Sequence, residues 1–186
     1  MSRPDRYYSV DEYLEMESTS EIRHEYLHGT IVAMSGGTGD HNTIALNLRD
    51  ALRPARERGC RVYVADIRVT MPSGLYTYPD VVAVCGPLEK LPGKWTTVTN
   101  PIVIAEVLSR DTAAYDRGKK FELYQTISTF RDYLLIDQYH VGAEHRWRDG
   151  ERWQVSHYKS GETFTLTGVP LTIAVDALYE DVTIPA

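Results

Sequence analysis

Three polar side chains stand where the sequence has no obvious structural need for them. Glu106 lies inside Pro101-Ile102-Val103-Ile104-Ala105-Glu106-Val107-Leu108, an otherwise apolar, β-branched run with the composition of a buried strand. A carboxylate buried there is costly unless it is paired or bound to a cation. Asp80, after Tyr78-Pro79, opens a second apolar run from Val81 to Val84, and Asp116-Arg117-Gly118-Lys119-Lys120 begins an amphipathic helix. Two strand-borne acids and a helix-borne lysine suit a divalent cation and a phosphodiester.

The chemistry explains why these residue types belong together. Hydrolysis of a phosphodiester near neutral pH needs a nucleophilic water and a sink for charge on the phosphoryl oxygens, and magnesium or manganese supplies much of both. Such cations take oxygen ligands. Asp80, Glu106 and the backbone carbonyl of Val107 are the candidate ligands if the two strands are neighbours. A lysine near the phosphate orients the water and offsets charge. Each residue also has a plainer reading. Asp80 caps a turn, Glu106 forms a buried salt bridge with Arg68 or Arg117, and Asp116 and Lys120 are an i, i+4 surface pair.

The elements that must position these groups follow from periodicity and punctuation. Ser9 caps a short helix with Glu12 at the capping-box position. Arg23–Leu27 and Thr30–Met34 flank His28-Gly29 as a tight hairpin. Asp40 is the expected N-cap of a second helix carrying Ile44, Leu48 and Leu52 on one stripe, ended or kinked by Pro54. Strands are expected over Arg61–Met71, Tyr78–Cys85 and Pro101–Leu108, with a turn at Pro72-Ser73-Gly74 and a long loop over Gly86–Asn100. A helix from about Ala113 to Ile127 leads to strand Tyr133–Asp137, and this strand–helix–strand order implies a parallel pair. Ala143–Trp147 and Arg152–Tyr158 flank Asp149-Gly150, a strong hairpin signal. The sum is a mixed sheet with a few helices.

Bulk properties set the class. The 186 residues fit a single domain spanning 1–186, and 42% hydrophobic with 25% charged residues is ordinary for a globular chain. The net charge of −6 weighs against a constitutive nucleic-acid coat, but not against a nuclease whose metal site adds carboxylates. Cys60 and Cys85 form no metal-ligand pattern and suggest a reduced, cytoplasmic setting. The N-terminus carries no apolar signal-like stretch, and no run approaches the ~20 apolar residues of a membrane span. No membrane partner is expected.

His24-Glu25-Tyr26-Leu27-His28 matches the H-E-x-x-H pattern of zinc peptidases. That motif needs a helix to bring both imidazoles to one face. Here Gly29 follows at once and Ile31-Val32 continues as β-branched sequence, so a strand is expected, with the two histidines about two pleats apart. A zinc peptidase is the third-ranked class.

Taken together, these stretches resemble the Uma family of restriction endonucleases, within the PD-(D/E)XK nuclease superfamily. The resemblance runs through Arg23–Gly37, His41-Asn42, Cys60–Val69, Tyr78–Val81, Ile104–Ser109, Tyr115–Phe121 and Tyr133–Gln138. It implies a restriction-endonuclease-like α/β (α+β) fold: a mixed β-sheet core flanked by helices, with an added C-terminal hairpin. It also implies a Mg2+- or Mn2+-dependent endonuclease acting on DNA, with Asp80 as the motif aspartate and Glu106 as the strand glutamate. The lysine expected two residues after the glutamate is absent, since Leu108 stands there, and the resemblance moves it to the helix as Lys120. Lys119 is adjacent but faces about 100° away. Glu25 matches an early family glutamate that completes the acidic cluster. His41 matches a histidine that touches phosphate or caps its helix. The family's usual acid at His28 and proline at Arg110 are missing.

Basic residues offer backbone contacts for DNA: Arg49, Arg53, Arg56, Arg58 and Arg61 around the end of the second helix, and Arg117 and Lys119 beside Lys120. A solvated basic face is the plainer reading of the arginine cluster. Trp147, Trp153 and Tyr158 pack the C-terminal hairpin or form a dimer face, and a homodimer suits double-strand cleavage. The alternative to a nuclease is a catalytically silent, dimeric DNA-binding or interaction module that retains the fold, with Lys120 turned away from the acids.

Overall fold

The computed structural model describes residues 6–92 and 97–184. Helix α1 (Val10–Thr19) precedes hairpin strands β1 (His24–Leu27) and β2 (Thr30–Ala33), helix α2 (Gly39–Ala51) and a 3-10 turn at Arg53–Arg58. Next come β3 (Cys60–Val64), β4 (Arg68–Thr70), β5 (Leu75–Thr77), β6 (Val81–Cys85), and the short β7 (Lys90–Leu91) and β8 (Thr97–Val98). The chain continues through β9 (Val103–Leu108), helix α3 (113–124), β10 (Asp132–Asp137), and the hairpin β11 (Gly142–Asp149) and β12 (Arg152–Lys159). A small hairpin of β13 (Thr163–Thr165) and β14 (Thr172–Ala174) leads to a 3-10 turn at Asp176–Tyr179.

The architecture is mixed α/β, with two six-stranded sheets flanked by helices. Their strand orders are β12-β11-β10-β9-β6-β3 and β2-β1-β5-β4-β8-β7. The C-terminal hairpin β11–β12 is added at the edge of the first sheet, beside β10. β9 and β10 pair in parallel around α3, as the strand–helix–strand order implies.

All six residues of β9 are buried, so both of its faces are covered. Val103, Ala105 and Val107 pack with Ile44 and Leu48 of α2. Ile104 and Leu108 pack with Phe121, Leu123 and Tyr124 of α3. Alternation of faces gives Glu106 the parity of Ile104 and Leu108 and sends its side chain toward α3.

Local signals account for the ends. Ser9 and Glu12 close a capping box at α1. His28 and Gly29 take φ of 48° and 90° in the first hairpin, and Gly150 takes 62° in the last.

Other expectations are corrected. The N-cap of α2 is Thr38, not Asp40; its Oγ1 accepts from the His41 amide at 3.1 Å. The single strand expected over Arg61–Met71 is two, in different sheets. Consecutive Ala65 and Asp66 adopt left-handed backbone (φ 48° and 49°), and the chain crosses between sheets there. The apolar pattern continues through the break, which hides it. Helix α3 ends at Tyr124, short of Ile127. The Gly86–Asn100 loop contains β7 and β8, and its residues 93–96 lie outside the described residues. Cys60 and Cys85 form a disulfide, contrary to the expectation of reduced thiols, because the antiparallel register of β3 and β6 sets them opposite each other. Among the described residues, no helix is long and apolar enough to cross a membrane.

Candidate active site

Lys120 is the node of the cluster. Its side chain is 5% exposed, and Nζ lies 3.0 Å from Glu106 Oε1, 3.1 Å from Glu25 Oε1 and 3.5 Å from Asp116 Oδ1. Three elements converge here: β9 brings Glu106, β1 of the other sheet brings Glu25, and α3 brings Asp116 and Lys120. The middle of α3, Asp116–Lys120, is π-helical. Such turns widen a helix and are frequent at functional sites. The loosened Asp116 carbonyl accepts from the buried Tyr133 hydroxyl at 3.1 Å. Lys119, one residue earlier, points outward to Glu122 at 3.1 Å.

The electrostatics follow from burial and crowding. Burial works against the Lys120 charge, but the Glu106, Glu25 and Asp116 carboxylates outweigh it and hold the lysine well above its usual pKa. Burial pushes Glu106 up to about 8; Lys120 opposes this, and Asp116 and Asp80 reinforce it. Glu106 Oε1 also accepts from the Tyr124 hydroxyl at 2.8 Å, which fixes the carboxylate. Asp116 is likewise raised by burial, against the pull of Lys120. Glu25 accepts from the Thr77 hydroxyl of the neighbouring β5.

Asp80 joins the cluster through strand register. Val81 pairs with Ala105 across the antiparallel β6 and β9, so Asp80, one residue earlier, comes level with Glu106. The Asp80 amide donates to Glu106 Oε2 at 3.4 Å, and Asp80 Oδ2 accepts from the Val107 amide at 2.7 Å. His41 Nε2 stands 3.3 Å from the same Oδ2. Burial lowers the pKa of that imidazole, but the Asp80 hydrogen bond and charge more than reverse the effect and leave it raised.

The structure therefore brings Asp80, Glu106, Lys120 and Glu25 together, with His41 at the rim and the Val107 backbone alongside. The salt bridges from Glu106 to Arg68 or Arg117 do not form. Arg68 donates to Thr97 Oγ1 and Tyr78, and Arg117 reaches Glu144 at 3.1 Å. Arg117 and Lys119 share α3 with the site. Arg49 and Arg53 do not: they lie at the far end of α2 from His41, where Arg49 pairs with Asp50. Asp66 pairs with Arg23 at 2.9 Å.

The H-E-x-x-H residues scatter, since β1 is a strand. His24 pairs with Glu17 at 2.9 Å, Glu25 turns to Lys120, and His28 sits in the turn. Trp153 packs against Phe121 and Phe130 with ring centroids 5.1 and 5.0 Å apart, and Tyr158 lies 5.2 Å from Phe164. Both serve packing within the chain.

Hard oxygen donors suited to a magnesium or manganese ion are present in Asp80, Glu106 and the Val107 carbonyl. Among the described residues, no three His, Cys, Asp or Glu side chains close into a ready-made cage. Glu106 instead turns Oε1 to Lys120 and Tyr124. Sequence reading missed Asp116 and Tyr124 as members of the cluster, and missed the contact of His41 with Asp80. For Asp116 the signal was its i, i+4 spacing to Lys120, read as a surface pair.

The chain resembles known proteins in sequence and in fold. A family model described as "Putative restriction endonuclease" (Uma2) matches residues 10–177. One uncharacterized protein of Synechocystis sp. is 34% identical over 175 residues, covering 92% of this chain and 90% of that protein. A second from the same organism is 35% identical over 144 residues, covering 76% and 81%. A crystal structure of a protein from Anabaena variabilis, described as a "putative nuclease", superposes with a TM-score of 0.75 at 17% identity, covering 95% of this chain and 99% of that one.

Proposed function

Because the chain belongs to the Uma2 family of restriction-endonuclease-like proteins, we propose that it is a metal-dependent endodeoxyribonuclease. The observation that carries this reading is the convergence of Lys120, Glu106 and Asp80 from three separate elements, with Lys120 Nζ 3.0 Å from Glu106. Asp80 and Glu106, with the Val107 carbonyl, hold the Mg2+ or Mn2+ ion. When bound, that ion lowers the pKa of a water and draws charge from a phosphate oxygen.

The chain's own residues do the rest. Lys120 stays charged because three carboxylates surround it, and its ammonium donates toward the attacking water and the phosphate. Glu25 and Asp116 hold that ammonium in place, and Tyr124 fixes the rotamer of Glu106. Arg117 and Lys119, on the same helix, contact the DNA backbone without reading sequence. His41 lies at the start of α2 beside Asp80. Two copies related by a two-fold axis place two such sites on opposite strands.

The test is cleavage of supercoiled plasmid with Mg2+ or Mn2+. Wild type is expected to nick and linearise the plasmid, and Asp80→Ala and Glu106→Ala to lose that activity. Equal cleavage by wild type and both variants removes the proposal. DNA binding without cation-dependent cleavage favours the silent-module alternative.

A further inference from the structure

The imidazole of His41 is held in place from three sides. Its amide is capped by Thr38 Oγ1, which donates to Gln138 Oε1 at 3.0 Å, and Gln138 Nε2 donates to the Leu108 carbonyl at 2.9 Å. This chain of bonds moors the start of α2 to the end of β9, two residues past Glu106. The ring itself packs on bare backbone: a Cβ on Gly37 would sit 2.7 Å from His41 Nδ1 and 2.9 Å from its Cγ. Nε2 is thereby directed at Asp80 Oδ2, the oxygen that also accepts from the Val107 amide. Asp80 and Val107 are the residues assigned above to the cation, and His41 lies against the first of them.

The spacing suits ligation as well as ion pairing. Two donors at right angles around an ion with bonds of ~2.1–2.2 Å lie ~3.0–3.1 Å apart. The observed Nε2–Oδ2 separation is 3.3 Å. With its side chain 17% exposed, His41 is also poorly placed to grip a DNA backbone.

We propose that His41 is a protein ligand of the catalytic cation through Nε2, beside Asp80, and that this nitrogen makes the site prefer a transition-metal dication to magnesium. The proposal rests on the reading of Asp80 as a metal ligand. Imidazole suits first-row transition metals, whereas magnesium is held by carboxylates, carbonyls and water. One nitrogen donor among oxygens therefore shifts preference without altering the rest of the site. Gly37 belongs to the same device, since any side chain there displaces the ring.

The test is Mn2+ binding to the full chain, followed by electron paramagnetic resonance, with Mg2+ as competitor. Wild type is expected to show 14N coupling to bound Mn2+ and to favour Mn2+ over Mg2+. His41→Ala is expected to lose the coupling and at least ~10-fold in Mn2+ affinity, the lower bound for losing even an indirect partner of a ligand. Its Mg2+ affinity should change far less. Gly37→Ala keeps the imidazole but shifts it, and is expected to weaken the coupling in the same way. Mn2+ binding that depends on Asp80 but shows no 14N coupling in wild type overturns the role of His41 and leaves the nuclease reading intact. Absence of any Asp80-dependent Mn2+ binding overturns both. The wild-type spectrum needs no variant, so the result stands even if His41→Ala does not fold.

Discussion

Replacing Glu106 by glutamine should stabilise the metal-free protein, and should do so more as the pH rises. Glu106 is buried, and its pKa is raised from an ordinary carboxylate value of 4.5 to about 8, chiefly by burial. An acid with a raised pKa binds protons more tightly in the folded state, so the fold loses stability as pH climbs between those two values. At 1.36 kcal/mol per unit, the loss reaches a ceiling of about 5 kcal/mol at pH 8. Glutamine removes that penalty. It keeps an oxygen for the Tyr124 hydroxyl, and Lys120 keeps Glu25 and Asp116. Against this, the 3.4 Å bond from the Asp80 amide is lost if the new amide nitrogen takes that side, at about 1 kcal/mol. The lost pull of Lys120 is already contained in that net shift. A net gain of up to about 4 kcal/mol is expected at pH 8, turning into a loss of about 1 kcal/mol near pH 4.5, where only the missing hydrogen bond counts. At roughly 2–4 °C per kcal/mol for a chain of this size, Tm should rise by several degrees at pH 8. Thermal unfolding followed by circular dichroism at pH 5 and pH 8, in chelator, measures it. If Glu106→Gln is less stable than wild type at pH 8, or if the difference does not change with pH, the reasoning fails.

Other outcomes follow from the same contacts. Lys120→Met strands three carboxylates and is expected to cost about 3–5 kcal/mol, whereas Lys119→Met, on the exposed side of α3, should stay within about 0.5 kcal/mol; urea denaturation separates them. Asp132 is fully buried and accepts from His145, from the amide and hydroxyl of Thr167, and from the Gly168 amide. Asp132→Asn should therefore lose about 2–4 kcal/mol in the same assay with DNA cleavage retained at temperatures where it is folded. Thr38→Ala removes the cap of α2 and its bond to Gln138, for a loss of about 1–2 kcal/mol read from Tm.

Much of the site was legible because strand periodicity is strict. Once Pro101–Leu108 is taken as a buried strand, Glu106 has to face the same layer as Ile104 and Leu108, and an amphipathic helix after that strand has to cover it. What the sequence does not carry is register. That Asp80 comes level with Glu106 depends on Val81 pairing with Ala105, a contact between residues far apart in the chain. The choice of Lys120 over Lys119 depended on the twist of α3, whose π-helical centre no local propensity announces. The break at Ala65-Asp66 was hidden for a similar reason: β-branched residues continue on both sides of a bend that only sheet packing demands. The Cys60–Cys85 bond also arises from register, so a count of two cysteines gave no sign of it.

The most direct measurement is anomalous diffraction from a crystal soaked in Mn2+. The account expects one strong peak within ~2.2 Å of carboxylate oxygens from both Asp80 and Glu106, with Lys120 Nζ still beside it. A peak bound elsewhere, or no ion shared by these two acids at saturating Mn2+, would contradict it.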